Sequence, residues 1–327
     1  MLPTDLAERV FALQTEEAFN ELALDIFQYQ VENNPVYAQY LSYFKNRPTP
    51  KHYTEVPFLP IEFFKTQRIY AHNQPEETLF LSSGTTSMVR SHHFVAKTDL
   101  YTQSFLSCYR QQIGEPTDQV ILALLPNYVE QGNSSLVFMV EELVRQSNNP
   151  LSGFLLHQPE KIKENYDAAI QSGKSVIIFG VSYALLDLAE QNIDLSQALI
   201  IETGGMKGRR KEMTKVELHE ELKKGLHVNH IASEYGMTEL LSQGYSVQDT
   251  LFETPSWMKI LIRDVNDPFT FQPNGKTGGI NVIDLANIYS CSFIATQDLG
   301  KMYDDQRFEI LGRFDHSDIR GCNLLVQ

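Results

Sequence analysis

The chain has 327 residues, 42% hydrophobic and 21% charged, enough for one large soluble domain or two. With 27 basic residues against 41 acidic ones the net charge is −14, which argues against non-specific nucleic-acid binding and against docking on an anionic membrane, since both need a basic face. No stretch approaches the roughly 18 apolar residues of a membrane span. The N-terminus does not read as a signal peptide, and Cys108, Cys291 and Cys322 form no C-x-x-C pair, so reduced thiols in the cytoplasm are expected.

In chain order, Thr15 caps a first helix. Glu16 and Glu17 suit its positive end, and Phe19, Leu22, Ile26 and Phe27 share one face. The segment Val56-Pro57-Phe58-Leu59-Pro60 must be extended, because each proline restricts the residue before it. An apolar strand at 79–81 and a helix over 98–112 follow. Apolar runs at 120–125, 153–156, 176–179 and 198–201 read as buried strands. Between and after them come helical patterns at 134–146, 161–171, 183–191 and 216–224, the last with Gly225 in the C-cap position. This alternation predicts an α/β architecture with a mainly parallel sheet. After about Leu251 the texture changes to short strands at 257–262, 278–283, 292–296 and 308–311, separated by Pro, Asn and Gly turns. The expected division is therefore an α/β core over 1–250, including the N-terminal helical segment, and a small β-rich subdomain over 251–327.

The strand at 79–81 runs into Ser82-Ser83-Gly84-Thr85-Thr86-Ser87. Glycine allows a sharp turn, and the hydroxyls add donors to the backbone N–H groups, so such a loop can wrap a triphosphate. A polar surface turn has the same composition. It is not a Walker loop, because G-x-x-x-x-G-K-[ST] is absent. A second glycine-rich turn, Thr203-Gly204-Gly205-Met206-Lys207-Gly208, follows the strand at 198–201 and marks a place where something approaches the backbone. Lys207, Arg209 and Arg210 form a local basic cluster there, either steering an anion or simply starting a solvated helix. His227 and His230 lie three apart in an expected strand, and His92 and His93 are adjacent. Neither pair shares a face, which argues against a histidine metal site.

The 82–87 loop resembles the phosphate loop of the adenylate-forming superfamily, enzymes that make acyl-AMP from a carboxylate and ATP. Three further segments resemble its motifs in the same order. Tyr235-Gly236-Met237-Thr238-Glu239 is similar to the aromatic-Gly-x-Thr-Glu motif. Thr296-Gln297-Asp298 is similar to Thr-Gly-Asp, with Gln297 in place of glycine. Gly312-Arg313, followed by Asp315 and Ile319-Arg320, is similar to the Gly-Arg hinge. The nearest resemblance is to LuxE-type acyl-protein synthetases and their phenylacetate–CoA ligase relatives; Val56 to Pro60 with Phe63-Phe64-Lys65 also resembles the LuxE type.

The resemblance implies the large N-terminal domain of the adenylate-forming fold, a small β-rich subdomain and no C-terminal lid domain. It implies ATP and Mg²⁺, with Ser82, Ser83, Gly84, Thr85, Thr86 and Ser87 around the phosphates. Thr238 would bond the α-phosphate and Glu239 would hold the metal. Tyr235 and Gly236 would meet the adenine, whose edge Gly204 and Gly205 would line. Asp298 would take the ribose hydroxyls and Arg313 the ribose or a phosphate. The substrate would be a carboxylic acid, in this family a fatty acid, with 136–140 and 179–186 as candidate acyl-lining stretches. The acyl group would pass to Cys322 and on to an acyl reductase or carrier protein. Arg320 beside Cys322 favours the reactive thiolate; a packing cysteine in a final strand is the other reading of that residue. A CoA ligase with its lid on another chain, or a non-catalytic nucleotide- or acyl-binding subunit, remains open as an alternative. The phosphate loop ends Ser87-Met88-Val89-Arg90, without the usual Gly-x-x-Lys-Gly, and the lid lysine has no counterpart here. Arg90, Lys301 or a partner subunit would have to supply the missing cation.

Overall fold

The computed structural model describes residues 3–44, 47–71, 73, 75–83, 89–126, 132–204 and 213–314. The chain opens with helices α1 (Pro3–Val10), α2 (Glu16–Asn33) and α3 (Pro35–Ser42), then strand β1 (Leu59–Pro60) and the short α4 (Phe63–Thr66). A hairpin of β2 (Thr78–Leu81) and β3 (His92–Val95) leads into α5 (Thr98–Gln112). Next come β4 (Gln119–Leu124), α6 (Ser135–Ser147), β5 (Gly153–Phe154), α7 (Glu160–Gln171), β6 (Ser175–Gly180), α8 (Ser182–Ala189), β7 (Ala198–Glu202), α9 (Lys215–Leu226), β8 (Ala232–Tyr235) and β9 (Gly244–Ser246). Four longer strands end the described chain: β10 (Met258–Arg263), β11 (Thr277–Asp284), β12 (Phe293–Met302) and β13 (Phe308–Arg313). Two compact units result, one of residues 72–255 and one that joins 1–71 with 256–327.

In the 72–255 unit six of the described strands form a sheet ordered β5-β4-β6-β7-β8-β9, parallel throughout except for β9, and β2 and β3 pair separately. Helices cover the strands, so β4 is buried along its whole length and reads as a continuous apolar run. Leu122, Ile178 and Ile200 pack there with Ile162, Leu185 and Leu222. Truncating any one of them to alanine costs about 2–5 kcal/mol. Local signals fix the helix starts. Ser134 accepts the Val137 N–H at α6, and Thr214 and Glu217 form a reciprocal capping box at α9.

Two local expectations are corrected. Gly225 lies inside α9 rather than at its cap. A side chain there would run into the Ala189 carbonyl and come within 2.6 Å of the Ala189 Cβ, so this glycine lets α8 and α9 approach. His227 takes the left-handed cap position instead, at φ 57°, and neither it nor His230 is in a strand.

In the other unit β12 is the hub. It pairs with β1 in parallel and with β11 and β13 antiparallel, and β10 extends the sheet beyond β11. The first 71 residues thus stand with the C-terminal strands rather than with the α/β core. The physical reason is long-range pairing that no local pattern carries. Buried Gln30 donates to the carbonyls of Asn287 and Ile288 and to the Ser292 hydroxyl, and accepts the Ser292 N–H. Asn34 donates to the Ser290 carbonyl, and the Tyr37 hydroxyl to that of Pro57. Cys108 and Cys291 are buried, and burial pushes the Cys291 thiol up to about 12. Among the described residues no helix is long and apolar enough to cross a membrane.

Candidate functional site

The β2–β3 hairpin carries the hydroxyl-rich loop. Leu81 pairs with His92 at its open end. There the Ser82 N–H donates to the Ser91 carbonyl at 3.1 Å, and the Ser91 N–H donates to Ser82 Oγ at 2.9 Å. The Ser82 side chain therefore braces the neck of the loop while keeping its own proton to donate. Ser83 follows, exposed. Gly84, Thr85, Thr86 and Ser87 lie outside the described residues. One residue down β3, His93 is fully buried, and its Nδ1 lies 2.7 Å from the Thr238 carbonyl. A carbonyl only accepts, so Nδ1 carries a proton and donates it to Thr238. This bond ties the hairpin to the Tyr235–Glu239 turn.

That turn leaves the end of β8. Tyr235 is buried, edge-on to Phe252 with ring centroids 6.0 Å apart. The Leu240 N–H closes the turn on the Met237 carbonyl at 3.1 Å. Thr238 is partly buried, and Glu239 is only 5% exposed. A side chain at Gly236 would meet the Glu234 carboxyl group, which would have to swing aside to admit it.

Beside it, β7 ends in a buried carboxylate that the sequence reading passed over. Glu202 Oε2 accepts the Gly204 N–H at 2.8 Å and the Ser182 hydroxyl at 3.1 Å. Its Oε1 accepts the Ser233 hydroxyl at 3.3 Å and lies 3.6 Å from Lys215 Nζ. Gly204 has a left-handed backbone, φ 76°, and its carbonyl accepts the Ser182 N–H at 3.0 Å, so its peptide is held from both sides. Gly205, Lys207, Arg209 and Arg210 lie outside the described residues. Lys215 also sits 4.3 Å over the Phe252 ring, and burial lowers its pKa against the pull of Glu202. His219, whose Nε2 is 3.3 Å from the Ser233 hydroxyl, is lowered to about 4 by burial and then by Lys215. Burial and then the Glu202 charge push Glu234 up to about 8, with Lys215 opposing. An acidic residue ending an apolar strand was the available sequence signal for Glu202. His93, Lys215 and Glu234 gave none, because their partners are distant in sequence or on the next strand.

In the other unit, Asp298 lies within β12, past the expected end of that strand, and is 6% exposed. Its N–H donates to Thr296 Oγ1 at 3.1 Å, and the Thr296 hydroxyl donates to the Ile280 carbonyl at 2.8 Å. Arg313 stands opposite it in register on β13 and donates from Nε to Asp298 Oδ1 at 3.0 Å, with 76% of its side chain exposed. Gln297, in place of the motif glycine, donates to Glu62 Oε1 at 2.5 Å. Cys322 lies outside the described residues.

The sequence matches the family described as acyl-protein synthetase, LuxE, over residues 6–327. The chain belongs to the LuxE acyl-protein synthetase family. Among solved structures it is similar to 2-hydroxyisobutyryl-CoA ligase in complex with 2-HIB-AMP and CoA, at TM-score 0.64 and 13% identity, over 92% of this chain and 70% of that one. It is also similar to ATP-bound MatB from Rhodopseudomonas palustris, at TM-score 0.53 and 16% identity, over 72% and 47%. An ATP-bound RpMatB-BxBclM chimera gives 0.55 at 15%, over 72% and 47%. At such identities the likeness is one of fold, that of the large domain of adenylate-forming enzymes. The LuxE family chain spans about half the length of the MatB-type structures. Among curated proteins none matches the sequence.

Proposed function

We propose that this LuxE family protein activates a carboxylic acid with ATP and passes the acyl group to a thiol. A carboxylate oxygen attacks the α-phosphorus, the bond to pyrophosphate breaks, and acyl-AMP forms. A thiolate, that of Cys322 in this reading, then attacks the acyl carbon. The carbon–oxygen bond to AMP breaks, giving a thioester whose acyl group goes on to an acyl reductase or carrier protein. The observation that carries the reading is the His93–Thr238 bond, which holds the hydroxyl-rich hairpin beside the Tyr-Gly-Met-Thr-Glu turn.

Two anionic reactants must meet, so the work of the protein is positioning and charge compensation. Backbone N–H groups and hydroxyls of Ser82 to Ser87 bind the phosphates. Thr238 bonds the α-phosphate, Tyr235 stacks on the adenine, and the Gly204 peptide, held by Glu202 and Ser182, forms its edge. Asp298 takes the ribose hydroxyls, and Arg313 reaches the ribose or a phosphate. Glu239, a buried carboxylate, is a hard-oxygen donor that fits Mg²⁺ completed by phosphate oxygens, and the bound ion would offset phosphate charge. The acyl group is expected to be a fatty acid by family resemblance.

The test is incubation with Mg-ATP and labelled fatty and aryl acids without CoA, in parallel with Cys322→Ser. ATP-dependent label on denatured wild-type protein, released by hydroxylamine and absent from the variant, is the expected result. Pyrophosphate release without protein label would move the acceptor to another thiol; no pyrophosphate release with any acid would overturn activation itself.

A further inference from the structure

Neighbouring residues of β8 point to opposite sides of the sheet. Ser233 and Tyr235 face Glu202, His219, Lys215 and Phe252. Glu234 faces the other way, opposite Tyr245 in the β8–β9 register. Tyr245 is fully buried there, its hydroxyl 4.0 Å from Met139 Sδ and its ring 6.5 Å from that of Tyr109. Into this aromatic wall the fold sets two polar side chains that serve each other and the backbone poorly. The half-buried Glu234 carboxyl fills the space beside Gly236. Gln243, next along the same register, brings its Cγ within 3.5 Å of the same point. Gln243 is 4% exposed, and its Oε1 is buried without a hydrogen-bond partner. Its backbone is fixed separately, since the carbonyl accepts from Cys108 Sγ at 3.1 Å.

Buried polar atoms in native proteins are almost always paired, so the orphaned amide oxygen of Gln243, with the Glu234 carboxyl beside it, points to a missing partner. Because Glu234 is pushed up to about 8, it keeps its proton at neutral pH and offers one donor and one acceptor. A hydroxyl, itself a donor and an acceptor, complements the pair: it donates to Gln243 Oε1 and accepts from Glu234. If Tyr235 stacks on the adenine, the opposite face of β8 belongs to the acyl group.

Resting on the activation chemistry proposed above, we infer that Glu234 and Gln243 select a carboxylic acid that bears a hydroxyl group over the unsubstituted chain. They are specificity-determining residues for the acyl substrate. A site built to hydrogen-bond a hydroxyl rejects the analogue lacking it strongly, because its own polar groups are then left unpaired.

The test is ATP–pyrophosphate exchange by the full chain, using straight-chain acids and their 2-, 3- and ω-hydroxy counterparts of equal length. Wild-type protein should use one hydroxy series with a kcat/KM at least about tenfold above that of the plain chains. Glu234→Leu and Gln243→Leu should each bring that ratio close to one with the KM for ATP little changed. Glu234→Gln, which keeps shape and a donor, should retain it. A merely structural role would lower both series together. A wild-type ratio near one, or a ratio that both leucine variants leave intact, overturns the inference. If no acid supports exchange, it is the activation reading that fails, and calorimetric binding of the same acids decides the selectivity separately. A preference for the hydroxy acid that both leucine variants abolish supports it, and equal or absent binding overturns it.

Discussion

Glu202 shows how much one side chain can organise. It holds the Gly204 peptide, two serine hydroxyls and Lys215 at the ends of adjacent strands. Glu202→Ala leaves the half-buried Lys215 without its carboxylate and the Ser182 and Ser233 hydroxyls without their acceptor, at a cost of about 1–3 kcal/mol. It should also raise the KM for ATP in pyrophosphate exchange, because the Gly204 peptide loses one of its two holds. Chemical denaturation and exchange kinetics read the two effects separately. Glu234 gives a pH signature. Its carboxyl titrates near 4.5 when unfolded and near 8 when folded. Across that window the unfolded chain has released a proton that the folded chain keeps, so stability falls as pH rises. His219 acts in the opposite sense, with a pKa near 6.5 unfolded and about 4 folded, so its contribution is lost as pH falls through that range. Between pH 4.5 and 6.5 the two oppose each other. From 6.5 to 8 the Glu234 contribution stands alone and amounts to about 2 kcal/mol. Urea unfolding of the wild type should weaken over this interval, and Glu234→Gln should remove most of the slope. A wild-type profile flat from pH 6.5 to 8 would show that Glu234 ionises freely in the folded state.

At the scale of elements, the hairpin of β2 and β3 stands or falls by its anchor. His93→Phe keeps the ring volume and removes the proton that Thr238 accepts. A buried carbonyl then loses its donor, at about 1–3 kcal/mol. Exchange should slow more than stability alone explains, by roughly 10- to 100-fold, because hairpin and turn are no longer held in register. An exchange rate within twofold of wild type would remove the His93 bond from the functional argument. Helix packing makes a second prediction. Gly225→Ala gains about 1 kcal/mol of helix propensity. It forces α9 away from the Ala189 backbone, at about 1–3 kcal/mol, so the melting temperature should drop. Gly153, with open space around it, should accept alanine nearly unchanged. Gly225 also marks a boundary of what sequence reveals. Helices and parallel strands were legible because their periods and apolar runs are local, and α5 spans the expected 98–112. A glycine in a last helical turn has two local explanations, capping and close packing, and only the neighbouring helix decides between them. β12 runs past Thr296 for a related reason. Gln297 and Asp298 fall just past the expected strand, yet each finds its partner, Glu62 or Arg313, outside the window a local pattern covers.

For the whole molecule, the motif residues were legible in order, while the way the chain is divided was not. The change of texture near residue 251 lies close to the boundary after Pro255, but nothing local tells that residues 1–71 belong with the strands beyond that boundary. That membership rests on Gln30, Asn34 and the parallel pairing of Leu59 with Ile294 and Pro60 with Ala295. The 72–255 unit is continuous in sequence and has its own sheet and core, so it should fold as an isolated fragment. A fragment of 256–327 should not, because its hub strand β12 loses β1, and the 287–292 segment loses the side chain that satisfies its buried carbonyls. Adding a separate 1–71 fragment should restore its structure by complementation. Circular dichroism and amide exchange of the mixture against the two fragments alone provide the measurement, with Gln30→Leu as the control. Gln30→Leu takes the side-chain donor from the Ile288 carbonyl and the acceptor from the Ser292 N–H, while the Asn287 carbonyl keeps the Ser290 N–H, so in the intact chain it should cost about 3 kcal/mol. In the mixture it should weaken complementation by at least a hundredfold, because the same loss falls on an association between separate fragments. Independent folding of 256–327, or complementation indifferent to Gln30, would mean that the C-terminal strands need no N-terminal partner. The division of the chain would then follow the sequence texture after all.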